Sequence, residues 1–115
     1  MQYVLLIYGD ERAGESVPRE QMTEIINAYM AYTQALRDAK ILVASNRLKP
    51  TSAATTVRTA DGQTKVLDGP FAETKEQLGG YYLIDVPDLD AALSWAKRCP
   101  GARYGTVEIR PIWAM

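Results

Sequence analysis

Positions 3 to 8, Tyr3-Val4-Leu5-Leu6-Ile7-Tyr8, are apolar without interruption, and Gly9-Asp10 breaks the run. A run of that length, rich in Tyr, Val and Ile, predicts a strand with both faces covered. Ser16 is placed to cap a helix with Pro18 in its first turn, and Met22, Ile25, Ile26, Tyr29, Thr33 and Leu36 then follow helical spacing. This predicts a helix over 17–39. Ile41-Leu42-Val43-Ala44 opens a second strand that runs toward Leu48 and stops at Pro50. Thr55-Thr56-Val57-Arg58-Thr59 and Gln63-Thr64-Lys65-Val66-Leu67 flank Ala60-Asp61-Gly62, and an Asp-Gly pair between β-rich runs predicts a hairpin. Tyr81 to Val86 forms another strand. Asp88 caps a second helix with Leu89, Ala92, Leu93 and Ala96 inward, ending at Pro100-Gly101, and residues 104–110 alternate as a last strand.

The order strand, helix, strand, hairpin, strand, helix, strand predicts an α+β chain with a ferredoxin-like βαββαβ core and an inserted β-hairpin. With 115 residues the chain fits a single domain, 1–115. Both helices pack on one face of the antiparallel sheet. Because strands 3–8 and 81–86 are apolar on both sides, the helix-free face calls for a cover, and a second copy of the same sheet supplies one. A homodimer burying more than about 1,000 Å² of total surface is expected.

Composition narrows the chemistry. The chain carries 13 basic and 14 acidic residues, with no basic stripe, which disfavours nucleic acid. The apolar N-terminus lacks a basic n-region and is too short for a signal peptide or a membrane span, so a cytoplasmic protein without membrane contact is expected. The chain has one cysteine, Cys99, beside Pro100, and no histidine. No intramolecular disulfide can form, and Cys99 reads as a helix-end residue rather than a nucleophile. Without histidine, ordinary zinc, copper or haem sites and His-based triads are excluded, so no metal or cofactor is expected. Acid-base work would fall to carboxylates, tyrosines or lysines.

Asp68-Gly69-Pro70-Phe71, followed by Ala72-Glu73-Thr74-Lys75-Glu76-Gln77-Leu78-Gly79-Gly80-Tyr81-Tyr82-Leu83-Ile84, resembles the DGPF-domain branch of the YCII-related family, as do residues 3–8 and 100–105. The resemblance implies a ferredoxin-like protomer, two of which join as a dimeric α/β barrel with a cleft in each. It also implies a possible protein partner in extracytoplasmic-function sigma-factor signalling. The wider family has a histidine-aspartate pair proposed to be catalytic. This chain has no histidine, so that mechanism does not carry over.

Each candidate group has a structural and a functional reading. Asp68 can bond backbone N–H groups of its own turn, with Gly69 extended before Pro70, or it can face the cleft. Phe71 is expected to anchor the turn in the core, at a cost of about 3–5 kcal/mol on truncation to alanine. Glu73, Lys75 and Glu76 form either a solvated turn or a rim where Lys75 or Glu76 orients a ligand. Arg58 falls opposite Lys65 in the hairpin, a like-charge pair whose side chains either splay into water or are relieved by an acid such as Glu73 or Glu76, or by a bound anion. Tyr8, Tyr81 and Tyr82 can line a pocket for an apolar or aromatic molecule or pack in the dimer. Asp85 shares its parity with Tyr81 and Leu83, so it can project from an apolar face, where desolvation would raise its pKa and a partner such as Arg110 would lower it. Asp68 and Asp85 are the catalytic candidates; Tyr8, Lys75, Glu76, Tyr82 and Arg110 are the ligand-binding candidates. Two functions fit: a dimeric module binding a small molecule or a partner, or a cofactor-free enzyme using Tyr and Asp groups on a small apolar substrate.

Overall fold

A computed structural model describes residues 1–114. Strands β1 (Gln2–Gly9), β2 (Leu42–Arg47), β5 (Gln77–Asp85) and β6 (Thr106–Pro111) form an antiparallel sheet in the order β2-β5-β1-β6. This is the expected ferredoxin-like arrangement, with β5 and β1 central. Helices α2 (Arg19–Asp38) and α3 (Leu89–Arg98) lie on one face. Strands β3 (Thr55–Ala60) and β4 (Gln63–Asp68) make a separate two-stranded sheet in the predicted register, with Arg58 opposite Lys65. Asp61 (φ 52°) and Gly62 (φ 75°) both take the left-handed conformation that a two-residue type I′ turn requires.

The core lies between the sheet and its helices. Tyr3 and Leu5 of β1, Tyr82 and Ile84 of β5, Tyr32 and Leu36 of α2, and Ala92 and Ala96 of α3 are buried together. An aromatic chain joins the layers. Tyr32 meets Tyr82 edge-on at 5.3 Å and Trp95 at 6.3 Å. The Tyr32 hydroxyl donates to the Trp95 carbonyl at 2.8 Å, and Arg98 stacks over Trp95 at 4.3 Å.

Several sequence expectations are corrected. The Gly9-Asp10 break starts a short helix, α1 (Glu11–Glu15), because the Asp10 carboxylate accepts from the Arg12 N–H. Ser16 closes α1 by donating to the Ala13 carbonyl, and α2 begins at Pro18 without a side-chain cap. Leu89 and Leu93 of α3 stay exposed, since the helix turns its small Ala92/Ala96 stripe inward. A short helix α4 (Gly101–Tyr104) precedes the last strand. Phe71 is 90% exposed, because the hairpin it follows stands apart from the core. Gly69 has φ 104° rather than an extended backbone, with its N–H on the Ala54 carbonyl.

The molecule is a slab of 47 × 44 × 18 Å with a radius of gyration of 16.1 Å, against about 13 Å for a compact chain of this length. One helix layer and one sheet layer account for the thin dimension. On the helix-free face Val4 pairs with Leu83 and Leu6 with Tyr81, all only half-buried. No described helix is long and apolar enough to cross a membrane.

Candidate functional site

Helix α2 is held at one end only. Its C-terminal half buries Tyr32 and Leu36, while its N-terminal half stands off the sheet and opens a cleft of about 880 Å³. Met22, Ile25, Ile26 and Met30 form the wall, and Ile7, Gly80 and Tyr82 form the floor. Met22, Ile25 and Ile26, expected to pack inward as part of an apolar stripe, thus line a cavity instead. Gly101 lets α4 close the far end, since a Cβ there would come within 2.7 Å of both the Ile7 side chain and the Tyr29 hydroxyl.

Polar groups enter this apolar space at defined points. The Thr33 hydroxyl donates to the Tyr29 carbonyl at 2.8 Å, so the Tyr82 hydroxyl, 2.7 Å away, is the donor to Thr33. That leaves the Tyr82 oxygen free to accept. Tyr29 and the buried Cys99 thiol are close enough to influence each other's ionisation. Burial, reinforced by their neighbours, raises the pKa of Tyr29 and of Tyr32; burial also raises that of Tyr82, opposed by its bond to Thr33. Burial likewise pushes the Cys99 thiol up, against the lowering effect of the Gly101 N–H and Tyr29. These groups stay neutral at physiological pH and serve as hydrogen-bonding partners, not as bases or nucleophiles.

The candidates from sequence separate into two sets. Tyr8 and Tyr82 line the cleft. Asp68 is exposed at the end of β4, outside the cleft lining, and Lys75 is exposed in the loop before β5. Glu76 accepts from the Thr106 hydroxyl at 2.7 Å and reaches neither the cleft nor the Arg58–Lys65 pair. Asp85, 58% exposed, takes the N-terminal ammonium of Met1 at 2.9 Å, and Arg110 pairs with Glu108 at 2.9 Å. Arg110 is not the partner of Asp85, because β1 lies between their strands, a separation of two strand spacings, about 10 Å. The sequence reading missed Tyr29, Arg37 and Arg47. The same spacing that gives Tyr29 and Thr33 extends to Arg37 at i, i+4, i+8, and strand alternation from Tyr82's partner Ser45 gives Arg47.

Comparison with known proteins places this geometry. The YCII-related domain matches residues 1–115. The chain belongs to the YCII-related family. A relative in Rhizobium meliloti (strain 1021), named only as an uncharacterized protein, is 41% identical over 114 residues, covering 97% of this chain and 92% of its own. Among solved structures, the 5-chloro-2-hydroxyhydroquinone dehydrochlorinase of Burkholderia phenoliruptrix, in complex with 2,5-dihydroxybenzoquinone, aligns with a TM-score of 0.51 at 13% identity. The match covers 98% of this chain and 94% of that one. At that identity the likeness concerns the fold, and it agrees with the ferredoxin-like sheet of this YCII-related chain.

Proposed function

We propose that this YCII-related protein is a homodimer that binds a small molecule in the cleft between α2 and the sheet. The carrying observation is the cleft itself: about 880 Å³, mostly apolar, with Tyr82 and Thr33 converging on it. Its size suits a small organic ligand, and few polar groups among apolar walls is the usual character of such sites. The half-buried Val4, Leu6, Tyr81 and Leu83 on the other face support pairing with a second sheet, since a two-layer slab leaves that face to water.

The test combines native mass spectrometry of the purified protein with sedimentation. A small molecule carried through purification and lost in the Ile25→Trp variant supports the reading, as does a dimer that Leu6→Arg converts to monomer. A monomer at micromolar concentration overturns the dimer, and a ligand retained in Ile25→Trp overturns the cleft.

A second reading, an enzyme on a small ring compound, draws support from the dehydrochlorinase that shares the fold. In that case Tyr8 and Tyr82 touch the substrate, while Asp68 and Asp85 stand outside the cleft. The link to sigma-factor signalling has no supporting feature among the described residues.

A further inference from the structure

The charges around the cleft are unequal in what they are free to do. Two carboxylates line it, Asp10 and Glu11, and both are engaged. Asp10 caps α1 through the Arg12 N–H at 2.9 Å. Glu11 receives the Thr51 N–H on one oxygen and the Thr51 hydroxyl on the other, each at 2.8 Å. Two guanidinium groups also line it, Arg37 from the last turns of α2 and Arg47 from the end of β2. Among the described residues neither forms an ion pair. The register places Arg47 opposite Gly80 and Ser45 opposite Tyr82, so Arg47 stands one side-chain step from the Tyr82 hydroxyl along the β2 edge. Arg37 lies one helical turn beyond Thr33, the partner of that hydroxyl. Each arginine is felt within the cleft, Arg47 by the Tyr29 phenol and Arg37 by the Tyr82 phenol, both of which it makes more acidic against the effect of burial.

We propose that the cleft selects an apolar organic molecule bearing a single anionic group, whose body lies on Met22, Ile25 and Ile26 and whose charge is received by Arg37 and Arg47. This rests on the cleft being the binding site. The planar guanidinium fork suits a carboxylate, sulfonate or phenolate, and the apolar wall beside it takes up the rest of the molecule. A polyanion such as a nucleoside polyphosphate is disfavoured, because the lining holds two carboxylates beside its two cations and the wall is mostly apolar.

Two fluorescent probes that differ by one sulfonate group test this on the full chain: anilinonaphthalene sulfonate and its neutral parent, N-phenylnaphthylamine. The sulfonate is expected to bind more tightly, to weaken as salt rises, and to lose roughly tenfold in affinity in the Arg37→Gln, Arg47→Gln double variant. Both arginines are exposed, so this variant keeps its fold, and binding of the neutral probe should be unchanged. Filling the cleft with Ile25→Trp or, separately, Met22→Trp should weaken both probes, with thermal melting confirming that each variant is folded. Equal binding of the two probes, both lost on filling, overturns the anion preference and leaves the cleft reading intact. Binding that survives filling in both tryptophan variants, or no binding of either probe, overturns both.

Discussion

The four-stranded sheet and the β3–β4 hairpin are built from the same antiparallel pairing, yet they differ in what holds them. In the main sheet Leu5 and Ile84 are fully buried beneath α2 and α3. In the hairpin nothing is buried: Val57, Val66 and Leu67 are each more than half exposed. The Thr56 hydroxyl and the Ala54 carbonyl, both on the backbone of Gly69, close the base of the hairpin itself, and just before it Thr51 bonds Glu11 of α1. A lone two-stranded hairpin is marginal in water. Backbone pairing and a good turn therefore give an element its shape, while burial decides how much free energy it carries.

The sharpest way to test that difference is truncation in each sheet. Ile84→Ala removes a fully buried side chain of β5 and should cost about 2–5 kcal/mol, whereas Val66→Ala in the hairpin should stay within about 0.5 kcal/mol. Urea unfolding followed by tryptophan fluorescence measures both. Comparable losses would mean that the hairpin is packed in solution.

The same contrast explains what could be read from the chain. The hairpin register followed from Asp61-Gly62 alone, because a tight turn fixes its strands through local backbone geometry. The strand order and the Asp88 cap, which accepts from the Ala91 N–H at 2.9 Å, were equally legible from patterning and position. Side-chain fates were not. The α2 stripe at Met22, Ile25, Tyr29, Thr33 and Leu36 has the spacing of a core face, but spacing cannot tell a closed core from a cleft wall, nor show that Tyr32 is the tyrosine driven inward. Asp85 and Arg110 share a sheet face, as their parity implies, but the pairing that separates them by one strand is a long-range fact. In its place the N-terminal amine, distant in sequence, occupies Asp85.

A second separation is by pH. Tyr29 and Tyr32 of α2 and Tyr82 of β5 meet between helix and sheet, and burial raises the pKa of each from an ordinary value of 10.0. Above about pH 10 the unfolded chain loses these protons while the folded chain keeps them. The unfolded state then binds fewer protons, so stability falls with rising pH, by up to about 1.4 kcal/mol per pH unit for each group. Below that pH both states are protonated and this effect vanishes. Denaturant titrations from pH 8 to 11 on the full chain should show the loss, and Tyr32→Phe should make it shallower. A flat profile would show that the tyrosines ionise freely and that the layer beneath α2 is open to water.

A smaller effect belongs to the contact where α2 leaves the sheet. Tyr82→Phe removes the bond to Thr33 and leaves that hydroxyl without its donor, which should cost about 1 kcal/mol. The ring packing against Tyr32 is kept, so the fold survives. Amide hydrogen exchange should quicken in the α2 segment before Tyr32 more than after it, because the C-terminal half keeps Leu36 in the core. Uniform quickening along α2 would show that the helix is held as one unit and not hinged at its buried end.

The smallest effect is expected at Phe71, where sequence suggested one of the largest. As the one phenylalanine of the chain, beside a proline-braced turn, it reads as an anchor. Yet the hairpin it follows has no layer beneath it, and the ring is 90% exposed. An exposed ring has already lost its chance of transfer out of water, so Phe71→Ala leaves no cavity and should change stability by no more than about 0.5 kcal/mol. Chemical unfolding at two protein concentrations provides the measurement. A loss near the about 3–5 kcal/mol of a buried aromatic would show that the ring is covered in solution. If that loss shrank on dilution, the cover would be a second copy of the chain, and the hairpin would join the helix-free face as part of the dimer contact.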